Sequence, residues 1–216
     1  MKIYLNTISN SLWRYINRLM LINELQTFRL VGGTSLSLQL GHRKSVDIDL
    51  FTDVEYGKVD FMEIENVLKN HFKYVDKSSD GIAPIGRSFI IGDNENNLVK
   101  LDLFYTDNFV FPYILKQNVR FASIEEVSAM KLEVIANGGR KKDFWDLHEL
   151  FTIYTLDQII GFYLKRYPYS YSKNEILSKL VSFSSAEDDF EPICFKQKDW
   201  RLIKLDIQEL IEQQTS

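Results

Sequence analysis

Leu12, Ile16, Leu19 and Met20 recur at i, i+4, i+7 and i+8, the spacing that keeps apolar side chains on one face of an α-helix. Asn10 or Ser11 is placed to cap its N-terminus. The short apolar run 28–31 then meets Gly32-Gly33-Thr34, and the SLSLQL stretch that follows reads as a helix closed by Gly41. From 45 to 51 the period changes to two: Val46, Ile48 and Leu50 alternate with Asp47, Asp49 and Phe51, which predicts a strand with one apolar face and two carboxylates on the other.

Phe61, Ile64, Val67, Leu68 and Phe72 restore a helical period over 60–72. Strand-like segments follow at 73–77, 82–91 and 97–105, separated by turn signals at Ser79-Asp80-Gly81 and Gly92-Asp93-Asn94. Beyond Pro112 the pattern is helical. Ser123-Ile124-Glu125-Glu126 has the form of a capping box and opens a helix to about residue 137, ended by Gly138-Gly139. Further helices are predicted at 141–154, 156–167, 173–183 and 199–213, with 184–192 as an acidic surface loop. The expected architecture is α+β: a short mixed β-sheet flanked by helices over residues 1–120, and a helical C-terminal lobe over 121–216.

Composition narrows the class. With 45% hydrophobic and 26% charged residues in 216, the chain is neither disordered nor fibrous. The single cysteine, Cys194, can form no internal disulfide and no thiolate metal site, and no apolar run approaches a membrane span. A cytoplasmic protein is expected. The net charge of -4 disfavours a general polyanion binder but leaves room for a local basic groove.

Asp47-Ile48-Asp49 carries the sharpest chemistry, because residues i and i+2 of a strand project to the same face. Two adjacent carboxylates share a proton, pair with Lys or Arg, or bind a hard cation such as Mg²⁺ together with substrate phosphates. Asp102, on the polar face of 99–104 with Lys100, is placed to supply a third carboxylate. Gly32, Gly33, Thr34 and Ser35 lie at a strand-to-helix turn, either a plain turn or a place where amides and hydroxyls meet a phosphate. Lys131 and the Arg140-Lys141-Lys142 run fall on successive helices, solvated or turned toward a triphosphate or a nucleic-acid backbone; Asp143 and Asp146 share one helix face. His42-Arg43-Lys44 reads as a solvated loop or a polyanion-steering patch.

Taken in order, Leu30-Val31-Gly32-Gly33-Thr34-Ser35-Leu36, then Gly41 to Phe51 with Asp47 and Asp49, then Asp102, then Lys131 with Arg140-Lys141-Lys142-Asp143-Phe144-Trp145-Asp146-Leu147, resemble the AbiEii/AbiGii-type nucleotidyltransferase toxins of the DNA polymerase β-like superfamily. The resemblance covers about residues 28–151; no motif is readable after 155. It implies a minimal nucleotidyltransferase core, with NTP as substrate and Mg²⁺ in a two-ion site on Asp47 and Asp49, Asp102 serving as third metal ligand or as base for the acceptor hydroxyl. It also implies phosphate contacts from Gly32, Gly33, Thr34, Ser35, Lys131 and Arg140, and completion of the catalytic site by Lys131, Asp143 and Asp146. The activity implied is transfer of NMP to the 3′ end of tRNA, in a type IV system whose neighbouring antitoxin is a repressor. Transfer to a small molecule or protein, or nucleotide binding without turnover, are the alternatives.

Overall fold

The computed structural model describes residues 1–77 and 85–215 of the chain. The Ser79-Asp80-Gly81 turn expected from sequence lies outside the described residues. Strands β1 (Arg29–Leu30), β2 (Ile48–Thr52), β3 (Tyr74–Lys77), β4 (Gly86–Gly92), β5 (Leu98–Tyr105), β6 (Ile114–Lys116) and β7 (Val119–Phe121) form one mixed sheet among the described residues, in the order β3-β4-β5-β2-β1-β7-β6. Its centre is the parallel pair β2 and β5, with Asp49 opposite Asp102. The helices are α1 (Asn10–Met20), α2 (Gly32–Leu40), α3 (Phe61–His71), α4 (Ile124–Ala136), α5 (Lys141–Leu150), α6 (Leu156–Arg166), α7 (Lys173–Leu180) and α8 (Trp200–Thr215). The fold is α+β, and no helix of the described residues is long and apolar enough to cross a membrane.

Local chemistry explains where these elements begin and end. α1 is capped one residue earlier than the pattern suggested. Ser9 has extended backbone and its hydroxyl accepts from the Leu12 amide at 3.1 Å, while Asn10 and Ser11 are already helical. α2 starts at Gly32 itself, inside the glycine turn, and ends at Gly41, whose φ of +72° is the left-handed cap a glycine adopts at no steric penalty. β2 begins at Ile48 rather than 45. Val46 is 59% exposed, so the apolar face does not reach back that far, and Asp47 sits just ahead of the strand.

The hairpin of β6 and β7 has no counterpart in the sequence reading. Its two-residue turn, Gln117-Asn118, holds φ values of +48° and +63°, the type I′ geometry usually signalled by Asn-Gly. With three-residue strands and no glycine, neither alternation nor turn composition marked it. β7 nevertheless extends the sheet by pairing in parallel with β1, Leu30 opposite Phe121.

Two apolar cores result. One joins the sheet to α1 and α3 through Tyr15, Ile16, Leu19, Leu50, Leu101 and Phe121; the other gathers α2 with the C-terminal helices through Leu36, Leu132, Phe144, Trp145, Ile160 and Trp200. The second core has a buried ionic element. Glu126, expected to close a capping box with Ser123, instead pairs with Arg166 and accepts the Val110 and Phe111 amides at 3.0 and 2.8 Å. Only the Ser123 half of the box forms, at 3.3 Å to the Glu126 amide.

Glu126 and Arg166 are fully buried, so neither charge can be solvated if its partner is removed. Arg166→Met is therefore expected to lower unfolding free energy by about 3–5 kcal/mol, measured by urea denaturation. A loss of only about 1 kcal/mol, the scale of an exposed pair, would show that water reaches Glu126.

Candidate active site

Parallel pairing of β2 with β5 sets Asp49 beside Asp102, and Asp47, just ahead of β2, lies near enough for its charge to act on Asp49. Of the three, Asp102 is the one already engaged. Its Oδ1 accepts from the Ser88 hydroxyl at 2.5 Å and its Oδ2 from Lys100 Nζ at 2.7 Å. The carboxylates of Asp47 and Asp49 have no hydrogen-bond donor among the described residues. Asp49 is half-buried, and its carboxyl is pushed up to about 6, first by burial and next by the negative charge of Asp102; Asp47 adds to this, while Lys131 and Lys142 oppose it. Negative charge is thus accumulated without a compensating proton donor, an arrangement that suits a bound cation.

The glycine turn is shaped by this pair. Gly32 has φ +66°, and a Cβ there would overlap the Asp49 carboxylate; a Cβ on Gly33 would overlap the Arg43 guanidinium. Val31, at the N-cap of α2, provides no side-chain cap, which leaves the first-turn amides of α2 beside Asp49 without a side-chain acceptor. The hydroxyls of Thr34 and Ser35 are not presented to a phosphate as expected. Both are buried: the Thr34 hydroxyl donates to the Asp47 carbonyl at 2.5 Å and meets Ser45 Oγ at 2.8 Å, and Ser35 Oγ accepts from Gln39 at 3.0 Å. Thr34 instead fixes the backbone that carries Asp47.

Behind the aspartates lies a buried ionic cluster centred on Asp146. Arg43 grips its carboxylate with Nε at 2.6 Å and Nη2 at 2.8 Å, Lys131 Nζ lies at 2.7 Å, and His42 Nε2 at 2.7 Å. Burial alone would push the Asp146 carboxyl up, but Arg43, Lys131 and His42 outweigh it and hold the group well below the usual carboxylate range. Burial would likewise lower the Lys131 ammonium, yet Asp143 and Asp146 raise it above an ordinary lysine. Asp143 binds Lys131 at 2.5 Å and takes the Arg140 amide at 3.0 Å, closing the first turn of α5.

These positions correct several expectations. Asp146 is fully buried and saturated with cations, so it cannot meet substrate; it positions Arg43 and Lys131. His42 and Arg43 are not a solvated loop but part of this cluster, at 0% and 3% exposure. Arg140 pairs its exposed guanidinium with Asp189 at 3.1 Å while also feeling the charge of Asp47, so the acidic 184–192 stretch is tied to the start of α5 rather than free. No three described His, Cys, Asp or Glu side chains converge as a preformed metal cage. Ser88, opposite Asp102 on β4, was missed, because a single strand serine carries no signal until the register is known.

A cleft of about 1040 Å³ opens past the C-terminal ends of β2 and β5, lined by Asp53, Tyr56, Tyr105, Arg166, Tyr167 and Tyr169, and it contains none of the three aspartates. Its size alone does not make it the reaction centre; the accumulated carboxylates and the nearby lysines lie elsewhere.

A glycine-opened helix beside Asp49 and Asp102, with Lys131 on α4 behind them, suits nucleotidyl transfer, and the comparisons show that the chain is a nucleotidyltransferase. Residues 14–213 match the family model described as nucleotidyl transferase AbiEii toxin, type IV TA system, and the chain belongs to that family. The match runs past residue 155, through helices in which no motif was readable. The fold is shared with JHP933 from Helicobacter pylori (16% identity, 93% of this chain and 88% of that one, TM-score 0.55) and with MenT4, a nucleotidyltransferase toxin from Mycobacterium tuberculosis (15% identity, 93% and 82%, TM-score 0.61). No curated protein matches the chain. Family membership implies an NTP substrate and a cognate antitoxin.

The Asp49 carboxyl yields a signed prediction. Its folded value of about 6 lies above the ordinary 3.8, so the folded state holds this proton more tightly than the unfolded chain. Its contribution to stability therefore falls as pH rises from about 4 through 6, reaching a penalty of roughly 3 kcal/mol above that range. In metal-free buffer, Asp49→Asn should be more stable than the parent at pH 8 and lose that advantage toward pH 4, read by denaturation at each pH. Identical profiles would contradict the charge accumulation described here.

Proposed function

We propose that this nucleotidyltransferase transfers NMP from an NTP to a hydroxyl of RNA, with the 3′ end of tRNA as acceptor, and that it acts as the cytoplasmic toxin of its system while the antitoxin works as a repressor. Mg²⁺ is the cation we assign to it. The observation that carries this reading is the pair Asp47 and Asp49, two carboxylates without protein donors beside the uncapped start of α2, with Asp49 in register with Asp102. We further propose two units, 1–120 carrying the aspartates and 121–216 carrying Lys131.

Asp47 and Asp49 fit a divalent cation: hard oxygen donors that feel each other's charge and lack protein hydrogen-bond donors. When bound, such an ion draws negative charge from the α-phosphate and the departing pyrophosphate. The chain's own residues supply the remainder. The first-turn amides of α2, with Gly32 and Gly33 leaving room for close approach, hold triphosphate oxygens. Lys131 and Lys142 add positive potential, both acting on Asp49. Asp102, oriented by Ser88 and Lys100, takes the proton of the acceptor hydroxyl as its oxygen attacks the α-phosphorus; the bond to the bridging oxygen breaks and pyrophosphate leaves. Asp143 and Asp146 hold Lys131 in place.

The test is incubation with each α-labelled NTP, Mg²⁺ and total tRNA. Label is expected in the tRNA fraction for the parent and at least about 100-fold less for Asp47→Ala and Asp49→Ala, the scale on which removal of a charge-stabilising group acts. Label confined to small molecules or protein would change the acceptor, and equal transfer by the variants would refute the site.

A further inference from the structure

Asp102 is the one aspartate of the three with a resident cation. Lys100 lies two residues away on β5, on the same face, and its Nζ sits 2.7 Å from Asp102 Oδ2 while Ser88 fills Oδ1 at 2.5 Å. The Lys100 side chain is partly exposed, at 44%, so the pairing is not forced by a closed core; the strand period itself brings the ammonium there. Lys100 also feels the negative charge of Asp47 and Asp49, which places it against the whole carboxylate group and not on Asp102 alone. A two-ion centre would need the Asp102 oxygens for its second ion, since such centres clamp the attacking and the leaving oxygens with separate cations. Here a unit positive charge from the chain already stands on that carboxylate.

We infer that Lys100, seated on Asp102, takes the place of a second divalent ion, so that the nucleotide-bound chain carries a single divalent cation on Asp47 and Asp49. This rests on the nucleotidyl-transfer reading of the site and makes Lys100 a positioning residue within it. The lysine brings positive charge to the acceptor side without a metal, and it does so as part of the folded chain. An ammonium seated on a carboxylate neutralises part of the charge that a second divalent ion would need and repels that ion at close range, so Lys100 and a second metal compete for Asp102.

Mn²⁺ binding tests this without reference to turnover. The full chain with one equivalent of a non-hydrolysable NTP analogue is titrated with Mn²⁺, and free ion is read from its electron paramagnetic resonance signal. The parent and Lys100→Arg should bind one Mn²⁺ per chain, and Lys100→Met should bind two, with the broadened spectrum of neighbouring ions. Lys100→Met with Asp102→Asn should return to one. Two ions on the parent, or one on Lys100→Met, would overturn the inference while leaving the nucleotidyl-transfer reading intact. No ion on any of them would overturn both.

Discussion

The buried carboxylate of Asp146 is the constraint on which the arrangement depends. It lies on α5, in the helical part of the chain, yet two of its partners, His42 and Arg43, come from the loop between α2 and β2, and a third, Lys131, comes from α4. One oxygen pair therefore joins three stretches far apart in sequence. A buried charge cluster of this sort is weak as a source of stability, since desolvation offsets most of the attraction, but it is unforgiving of misplacement: every member left unpaired is a charge without water. Arg43 in turn fills the space that Gly33 leaves open, and so the cluster also fixes the approach of the glycine turn to the aspartates.

The contrast between the two carboxylate groups explains the division of labour. Asp143 and Asp146 are neutralised from within the chain and hold shape. Asp47 and Asp49 are left without donors, and the Asp49 carboxyl is raised, first by burial and then by the negative charge of Asp102, with Asp47 adding to it. Lys131 stands between the groups, bonded to the first and acting at a distance on the second. The C-terminal segment reinforces the loop. Backbone bonds of 2.8 Å run from the Lys44 amide to the Ile193 carbonyl and from the Phe195 amide to the His42 carbonyl, so residues that carry no motif still brace those that do.

Much of this was legible in the sequence wherever the periods were long. α1, α3 and the C-terminal helices stand close to where apolar spacing put them, and Asp49 faces Asp102 across adjacent strands, while Asp47 lies just ahead of the strand expected to carry it. The failures share a cause: they depend on partners distant along the chain. His42 and Arg43 look like an ordinary basic loop until Asp146 is seen more than a hundred residues away. Thr34 and Ser35 have the composition of a phosphate loop, but tertiary packing turns both hydroxyls inward. Arg140 reads as an unpaired cation because its acidic partner, Asp189, lies in a stretch that reads as solvent-facing. The β6 and β7 hairpin shows the complementary limit, since a type I′ turn built from Gln-Asn carries too little local signal to be read.

The central claim is that nucleotide is held at Asp47, Asp49 and the start of α2, and not in the tyrosine-lined cleft beyond β2 and β5. A crystal structure of the full chain with Mn²⁺ and a non-hydrolysable NTP analogue tests it most directly. The account predicts an anomalous peak within coordination distance of the Asp47 and Asp49 carboxylates, with the triphosphate against the first turn of α2. Nucleotide and metal in the cleft lined by Tyr56, Tyr105 and Tyr167, with Asp47 and Asp49 free, would contradict it.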